Sequence, residues 1–178
     1  WDSVLYLENN LTDPGYTHAS SKTERPGGQG LNVASGLKDA KLNVKLVGYL
    51  GNCENASKLS RFLEEQSISD KYILKIDKPS PYIMVLVDKS GERKMVGLEK
   101  SYFHEVRLPL AEISPNDIVV WTWWRDEFES DFKACVKIGA KTVVGIEALS
   151  NLNVDADLFI GNKFELVSEK YDKSRNII

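Results

Sequence analysis

Residues 25–36 read RPGGQGLNVASG, and within them Gly27, Gly28, Gly30 and Asn32 stand where an amphipathic run is about to begin. Glycine lets the backbone take positive φ and lets a ligand come close to the main chain, while the unpaired amides of a helix N-terminus favour oxygen-rich or anionic groups. An asparagine amide both donates and accepts, which suits hydroxyl recognition. Together these residues point to a polyol or a phosphate, with a tight turn into a helix as the purely structural alternative. Other chemistries are excluded by pattern. The chain has no G-x-x-x-x-G-K-[ST] and no G-x-S-x-G. A dinucleotide fingerprint would need a third glycine where Val33 stands, and the upstream SSKTERP makes a poor buried strand. His18 and His104 lie in polar surroundings without metal-ligand spacing, which assigns them surface or hydrogen-bonding roles.

The elements that would carry this cluster follow from periodicity. DSVLYLE reads as a half-buried strand, TDPG as a turn and YTHASSKTE as a polar extended piece. From Leu31 the pattern turns helical, with Leu31, Ala34 and Leu37 in one stripe flanked by Val33 and Ala40. VKLVGYLG then reads as a buried strand ended by Gly51, and ASKLSRFLEEQ as a second helix with Leu59, Phe62 and Leu63 on one face. YILKI, YIMVLVD and RKMVGLE are three further strands, the last two joined by a KSG hairpin. The remainder alternates: strand DIVVWTWW, helix DEFESDFKACVKIG, strands KTVVGIE and DLFIGN, helix KFELVSEKY, and the opening of a strand at NII. Strands alternating with helices of this length predict βαβ units on a mainly parallel sheet, beside a small antiparallel addition.

Composition narrows the class. With 178 residues and 42% hydrophobic content the chain can bury one good core. Lys and Arg number 23 against 26 Asp and Glu, a net charge of −3 with both signs interspersed, so the chain lacks the basic footprint of a nucleic-acid or anionic-membrane binder. No apolar run approaches a membrane span. Cys53 and Cys135 are far apart and match no metal spacing, which predicts reduced thiols and a cytoplasmic location. Beginning at Trp1 and stopping at RNII, the chain is expected to be a piece cut at both ends.

PGGQGLNVASGL followed by VKLVGYLGN resembles the first signature of the ribokinase-like, or pfkB, carbohydrate kinases, in which P-G-G-x-G-x-N-x-A opens a helix and a strand ending in V-G-x-x-G follows. The resemblance covers the whole chain. It places Asp2 as the acidic residue that ends the family's first strand and holds sugar hydroxyls, and GNKFE supplies Asn162 and Glu165 in the N-x-x-E arrangement associated with Mg and phosphate. Each match has a plainer alternative. Asp2 could be a solvated strand-end carboxylate, and Asn162 with Glu165 could form a capping box. Glu147 closes the strand TVVGIE at a terminus where ligands of open α/β sheets collect, which makes it a candidate for the neighbourhood of nucleotide or metal. The sequence also departs from the family. Cys53 replaces the usual Asp after the second glycine strand, Ala56 stands where glycine is common, and Gln29 replaces the lysine of ribokinases. GIE and FLEEQSISDKY are similar to stretches of the ketohexokinase-like branch. The family's Gly-Ala-Gly-Asp motif, whose Asp removes the acceptor's proton, is missing, so the catalytic base is expected beyond Ile178.

The resemblance implies an α/β, ribokinase-like three-layer sandwich over residues 1–178, with β lid strands at about 3–24 and 72–98. It implies an ATP- and Mg-dependent kinase for a small sugar, a ketose or pentose in preference to a phosphosugar or nucleoside, holding the acceptor with Asp2, Gly27, Gly28, Gly30 and Asn32. A homodimer joined through the lid is the implied assembly, since apolar strand residues such as Tyr82, Met84 and Leu86 would need cover. A sugar-binding protein without kinase activity is the competing class.

Overall fold

The computed structural model describes residues 1–98, 100–146, 148 and 154–161. The chain divides into two compact units, Trp1–Val106 and Arg107–Ile178.

In the first unit, β1 (Asp2–Leu7) is followed by β2 (Ala19–Arg25), antiparallel to it. The chain then forms α1 (Gln29–Asp39), β3 (Gly48–Leu50), α2 (Glu54–Glu65) and β4 (Ile73–Lys75). It returns as β5 (Ile83–Val87), parallel to β1, and β6 (Arg93–Gly97), antiparallel to β5. The resulting four-stranded sheet has the order β2-β1-β5-β6. Only the β1/β5 pair is parallel, because parallel neighbours need a long crossover and here α1 to β4 supply it. Asp88 closes the β5–β6 hairpin: its Oδ1 accepts from Ser90 N at 2.9 Å, Ser90 Oγ at 2.6 Å and Glu92 N at 3.0 Å. Its Oδ2 accepts from Leu11 N at 3.1 Å, tying the β1–β2 loop to the same turn.

The apolar stripe of α1 buries Leu31 and Ala34, and α2 buries Ala56, Leu59 and Leu63. These side chains form one core with Leu50 and Ile68, and Val44, Leu46 and Phe62 pack against it. Three details differ from the sequence expectation. The helix begins at Gln29 instead of Leu31, so Gly30 lies inside its first turn. Of VKLVGYLG only Gly48–Leu50 is a strand; Val44 and Leu46 reach the core from irregular backbone. Within residues 72–98, β4 pairs in parallel with β3 while β5 and β6 join the four-stranded sheet. Tyr82, Met84 and Leu86 are half-buried, whereas Met95 is 74% and Tyr6 42% exposed. Residues 77–81 lie along the β3–α2 connection. Ser80 Oγ accepts from Gly51 N at 2.8 Å, Ser80 N donates to Cys53 Sγ at 3.4 Å, and Asn52 N donates to the Lys78 carbonyl at 2.7 Å.

Among the described residues the second unit holds a parallel sheet of three strands in the order β7-β8-β9: β7 (Ile118–Trp121), β8 (Lys141–Gly145) and β9 (Leu158–Ile160). A 3₁₀ turn at Asp126–Phe128 leads into α3 (Glu129–Ile138), which links β7 to β8. Phe132 and Cys135 of α3 pack with Trp121, Trp124, Val144 and Phe159 in one core. Asp157 fastens β9 to β8: its Oδ2 accepts from Thr142 N at 2.9 Å and Thr142 Oγ1 at 3.0 Å, and its Oδ1 accepts from Lys141 Nζ at 2.8 Å. The lysine first, then the Thr142 amide, hold its carboxyl down at about 2. Among the described residues no helix is long and apolar enough to cross a membrane, and His18 and His104 are both exposed.

Two outcomes are expected. Ser80 is 2% exposed and its Oγ serves the half-buried Gly51 amide, so Ser80→Ala removes that acceptor and should lower stability in urea melts by about 0.5–1.5 kcal/mol. Because the Asp157 carboxyl titrates at about 2 in the fold against an ordinary 3.8, its ionised form stabilises the second unit above the higher value, and that contribution disappears as pH falls from about 4 to about 2. Asp157→Asn should therefore be less stable than the wild type near neutral pH, and the gap should close over this window in thermal melts.

Candidate functional site

The sheet and helix of the first unit meet at one junction. β1 opens at Asp2, and in the antiparallel register Arg25, the last residue of β2, lies opposite it. Pro26 follows, and a residue before proline is held in extended backbone, so the strand runs straight up to the glycines. Gly27 then passes directly against the Asp2 side chain: a Cβ built on Gly27 would fall on the carboxyl carbon and both its oxygens. No other residue type fits there without displacing the carboxylate. Gly28 has φ of 104° and ψ of 131°, a conformation that side-chain-bearing residues rarely adopt, and it caps α1. It brings no capping side chain, and the first turn of the helix carries no acidic residue. The first helical bond runs from Asn32 N to the Gly28 carbonyl at 3.0 Å, so the amides ahead of it face outward without a side-chain acceptor.

Asp2 is half-buried and Asn32 exposed, and among the described residues neither side chain has a hydrogen-bond partner. A carboxylate that only accepts, an amide that does both, and a helix start that only donates can surround a polyhydroxylated or phosphorylated ligand. The structure thus brings together Asp2 and Gly27 in direct contact, with Gly28, Gly30 and Asn32 following within the first turn of α1. Glu147, Asn162 and Glu165 lie outside the described residues. Among the described residues no group of three His, Cys, Asp or Glu side chains could hold a metal ion.

Two features escaped the sequence reading. Arg25 shares a face of the sheet with Asp2, which only the register reveals. Cys53 is the N-cap of α2, and its thiol receives the Ser80 amide. Burial resists ionisation of this thiol, but the amides of Ser80, Ala56 and Asn55 outweigh it and hold the group below its ordinary value. The signal was available in the Asp-to-Cys departure, since helix caps select small polar residues at that place.

The fold resembles those of several solved kinases. A nucleoside kinase from Burkholderia thailandensis in complex with inosine superimposes with a TM-score of 0.74 at 15% identity, over 92% of this chain and 58% of that one. A ribokinase from Cryptococcus neoformans in complex with ADP gives 0.71 at 18% identity, over 93% and 56% of the two chains. A ribokinase from Thermotoga maritima gives 0.69 at 20% identity, over 93% and 57%. The chain therefore spans little more than half the length of these neighbours. It is also 44% identical over 54 residues to the bifunctional protein HldE of a Marinomonas species, which amounts to 30% of this chain and 11% of that protein. The profile of the pfkB family carbohydrate kinases matches residues 2–122, from the Asp2 strand through the glycine-rich start of α1 to the end of β7, and the chain belongs to this family, on a ribokinase-like α/β fold.

Proposed function

We propose that the protein of which this chain is part transfers the γ-phosphoryl group of ATP to a hydroxyl of a small sugar. The observation that carries this reading is the junction itself: a carboxylate at Asp2 with no hydrogen-bond partner among the described residues, fixed against the bare backbone of Gly27, beside a start of α1 that has no side-chain cap. In this reading Asp2 accepts hydrogen bonds from two sugar hydroxyls, Asn32 bridges a third, and Gly27, Gly28 and Gly30 keep the main chain clear for the ring. Phosphoryl transfer depends mostly on positioning and charge neutralisation, and the acceptor site supplies the positioning. ATP is proposed from family membership and from the ADP bound to the Cryptococcus ribokinase. Asn162, Glu165 and Glu147 are proposed to serve Mg and phosphate, and the general base is assigned to a part of the protein outside these 178 residues.

A nucleoside acceptor is the second reading, favoured by the inosine bound to the Burkholderia kinase; in that reading ribose hydroxyls take the place of those of a free sugar at Asp2 and Asn32. Phosphorylation assays with matched free sugars and nucleosides separate the two. The four-stranded sheet is proposed to lie over the acceptor and to meet a second copy through exposed side chains such as Met95 and Tyr6, in a cytosolic homodimer.

The reading makes a definite prediction for the full-length protein. Asp2→Asn should weaken sugar binding by about 1.5–3 kcal/mol, the worth of a charge-assisted hydrogen bond, and leave nucleotide affinity within about twofold. Gly27→Ala should imitate it, because the added methyl displaces the same carboxylate. Titration calorimetry measures both, and sugar affinity unchanged in Asp2→Asn would remove the residue from the site.

A further inference from the structure

Register gives the four-stranded sheet one anchored end and one open end. Asp2 pairs with Arg25 and with Ile83, and Ile83 pairs with Gly97, so these four residues stand in one row across the sheet. Each strand meets the rest of the unit at this row: β1 follows Trp1, β2 runs out into Pro26, β5 comes in from Tyr82 and β6 leaves through Leu98. Pairing here continues past the strands, with Ile83 N donating to the Trp1 carbonyl and Leu98 N to the Tyr82 carbonyl, both at 3.0 Å. At the other end the sheet is two separate hairpins. There β1 turns outward to β2 and β5 outward to β6, and both outer strands are exposed throughout. Parallel neighbours cannot be joined by a tight turn, so the chain itself does not hold β1 to β5 at this end.

The Asp88 side chain spans that gap. It follows β5 directly, is buried, and turns its two oxygens to different hairpins. Oδ1 serves its own turn, accepting from Ser90 N, Ser90 Oγ and Glu92 N, while Oδ2 accepts from Leu11 N of the other hairpin at 3.1 Å. Leu11 is presented by a small turn of its own, in which Asp13 N donates to the Asn10 carbonyl at 3.1 Å and Asn10 N donates to Asp13 Oδ2 at 2.9 Å. The three donors on Oδ1 fix the carboxylate, so Oδ2 meets Leu11 as a charged acceptor already in place. Along the strands the clasp lies roughly 17 Å from the row that carries Asp2. We propose that Asp88 keeps the two hairpins one body, and that it is thereby a positioning residue for Asp2: once the open end parts, β1 can twist away from β5, and Asp2 loses its fixed place against Gly27. The positioning role rests on the sugar-kinase reading above; the clasp does not.

The test uses the full-length protein and hydrogen–deuterium exchange resolved to short peptides. An asparagine has a single acceptor oxygen, so Asp88→Asn can serve its own turn or Leu11 but not both. It should speed exchange about tenfold or more at residues 4–11 and 84–87, on both sides of the gap. Ser90→Ala takes one bond from the turn and leaves Leu11 its acceptor, and should speed exchange at residues 88–92 alone. Leu11→Pro removes the donor and leaves Asp88 intact; it should reproduce the change at residues 84–87, and it carries the test if Asp88→Asn fails to fold. In assays with ATP and a panel of free pentoses and ketohexoses, Asp88→Asn and Leu11→Pro should raise the sugar KM about three- to tenfold, with kcat and the KM for ATP within about twofold. Faster exchange confined to residues 88–92 in Asp88→Asn, or none at residues 84–87 in Leu11→Pro, overturns the clasp. The expected exchange with an unchanged sugar KM overturns the positioning role. If no sugar is phosphorylated, the kinase reading fails, and exchange at residues 84–87 still decides on the clasp.

Discussion

The contact between the Asp2 carboxylate and the Gly27 backbone sets the terms for the rest of the first unit. It demands a residue without a side chain at position 27, and it demands that the end of β2 arrive beside the beginning of β1. Pro26 and Gly28 serve those demands, one by keeping Arg25 extended and the other by turning the chain into α1 at positive φ. The helix then starts with free amides because no capping side chain fits the geometry. Sheet pairing, turn and helix start are in this sense one local solution to holding a carboxylate against bare main chain.

Each unit has its own core, and the cores are built differently. In the first, aliphatic side chains of α1 and α2 meet Leu50 and Ile68. In the second, aromatic rings dominate: Trp121, Trp124 and Phe132 contact one another edge-on, with centroids 5.5 to 6.4 Å apart. Such rings bury large areas from few positions, where α3 packs on the strands β7 to β9. Polar contacts finish what apolar packing leaves open. Ser80 joins two loops of the first unit, and Asp157 joins two strands of the second.

Much of this was legible in the sequence because its signals are local. The glycine cluster before an amphipathic run gave the start of α1, alternation gave β1, and KSG between two apolar runs gave the β5–β6 hairpin. The reading placed the helix start two residues late because glycine is a poor helix former, and only the cap geometry shows Gly30 inside the turn. What stayed hidden depends on pairing. Ile73-Leu74-Lys75 carries no mark of which strand it will join, so its partnership with β3 could not be foreseen. Val44 and Leu46 are apolar enough for a strand, yet a β4 of three residues leaves them nothing to pair with. Arg25 reads from sequence as one more surface cation, and only register sets it across from Asp2.

The order of assembly follows from the parallel pair at the centre of the four-stranded sheet. β1 and β2 are neighbours along the chain, but β1 reaches β5 only across both helices, and the Leu11–Asp88 hydrogen bond joins residues 77 positions apart. Closing so long a segment costs chain entropy before any contact repays it, and non-local pairing of this kind slows folding. The β1–β2 ribbon alone is a two-stranded piece of marginal stability. The strand that carries Asp2 therefore gains its parallel neighbour only once the chain has run on through β5, so the junction of Asp2 and Gly27 is held from one side by residues far along the sequence.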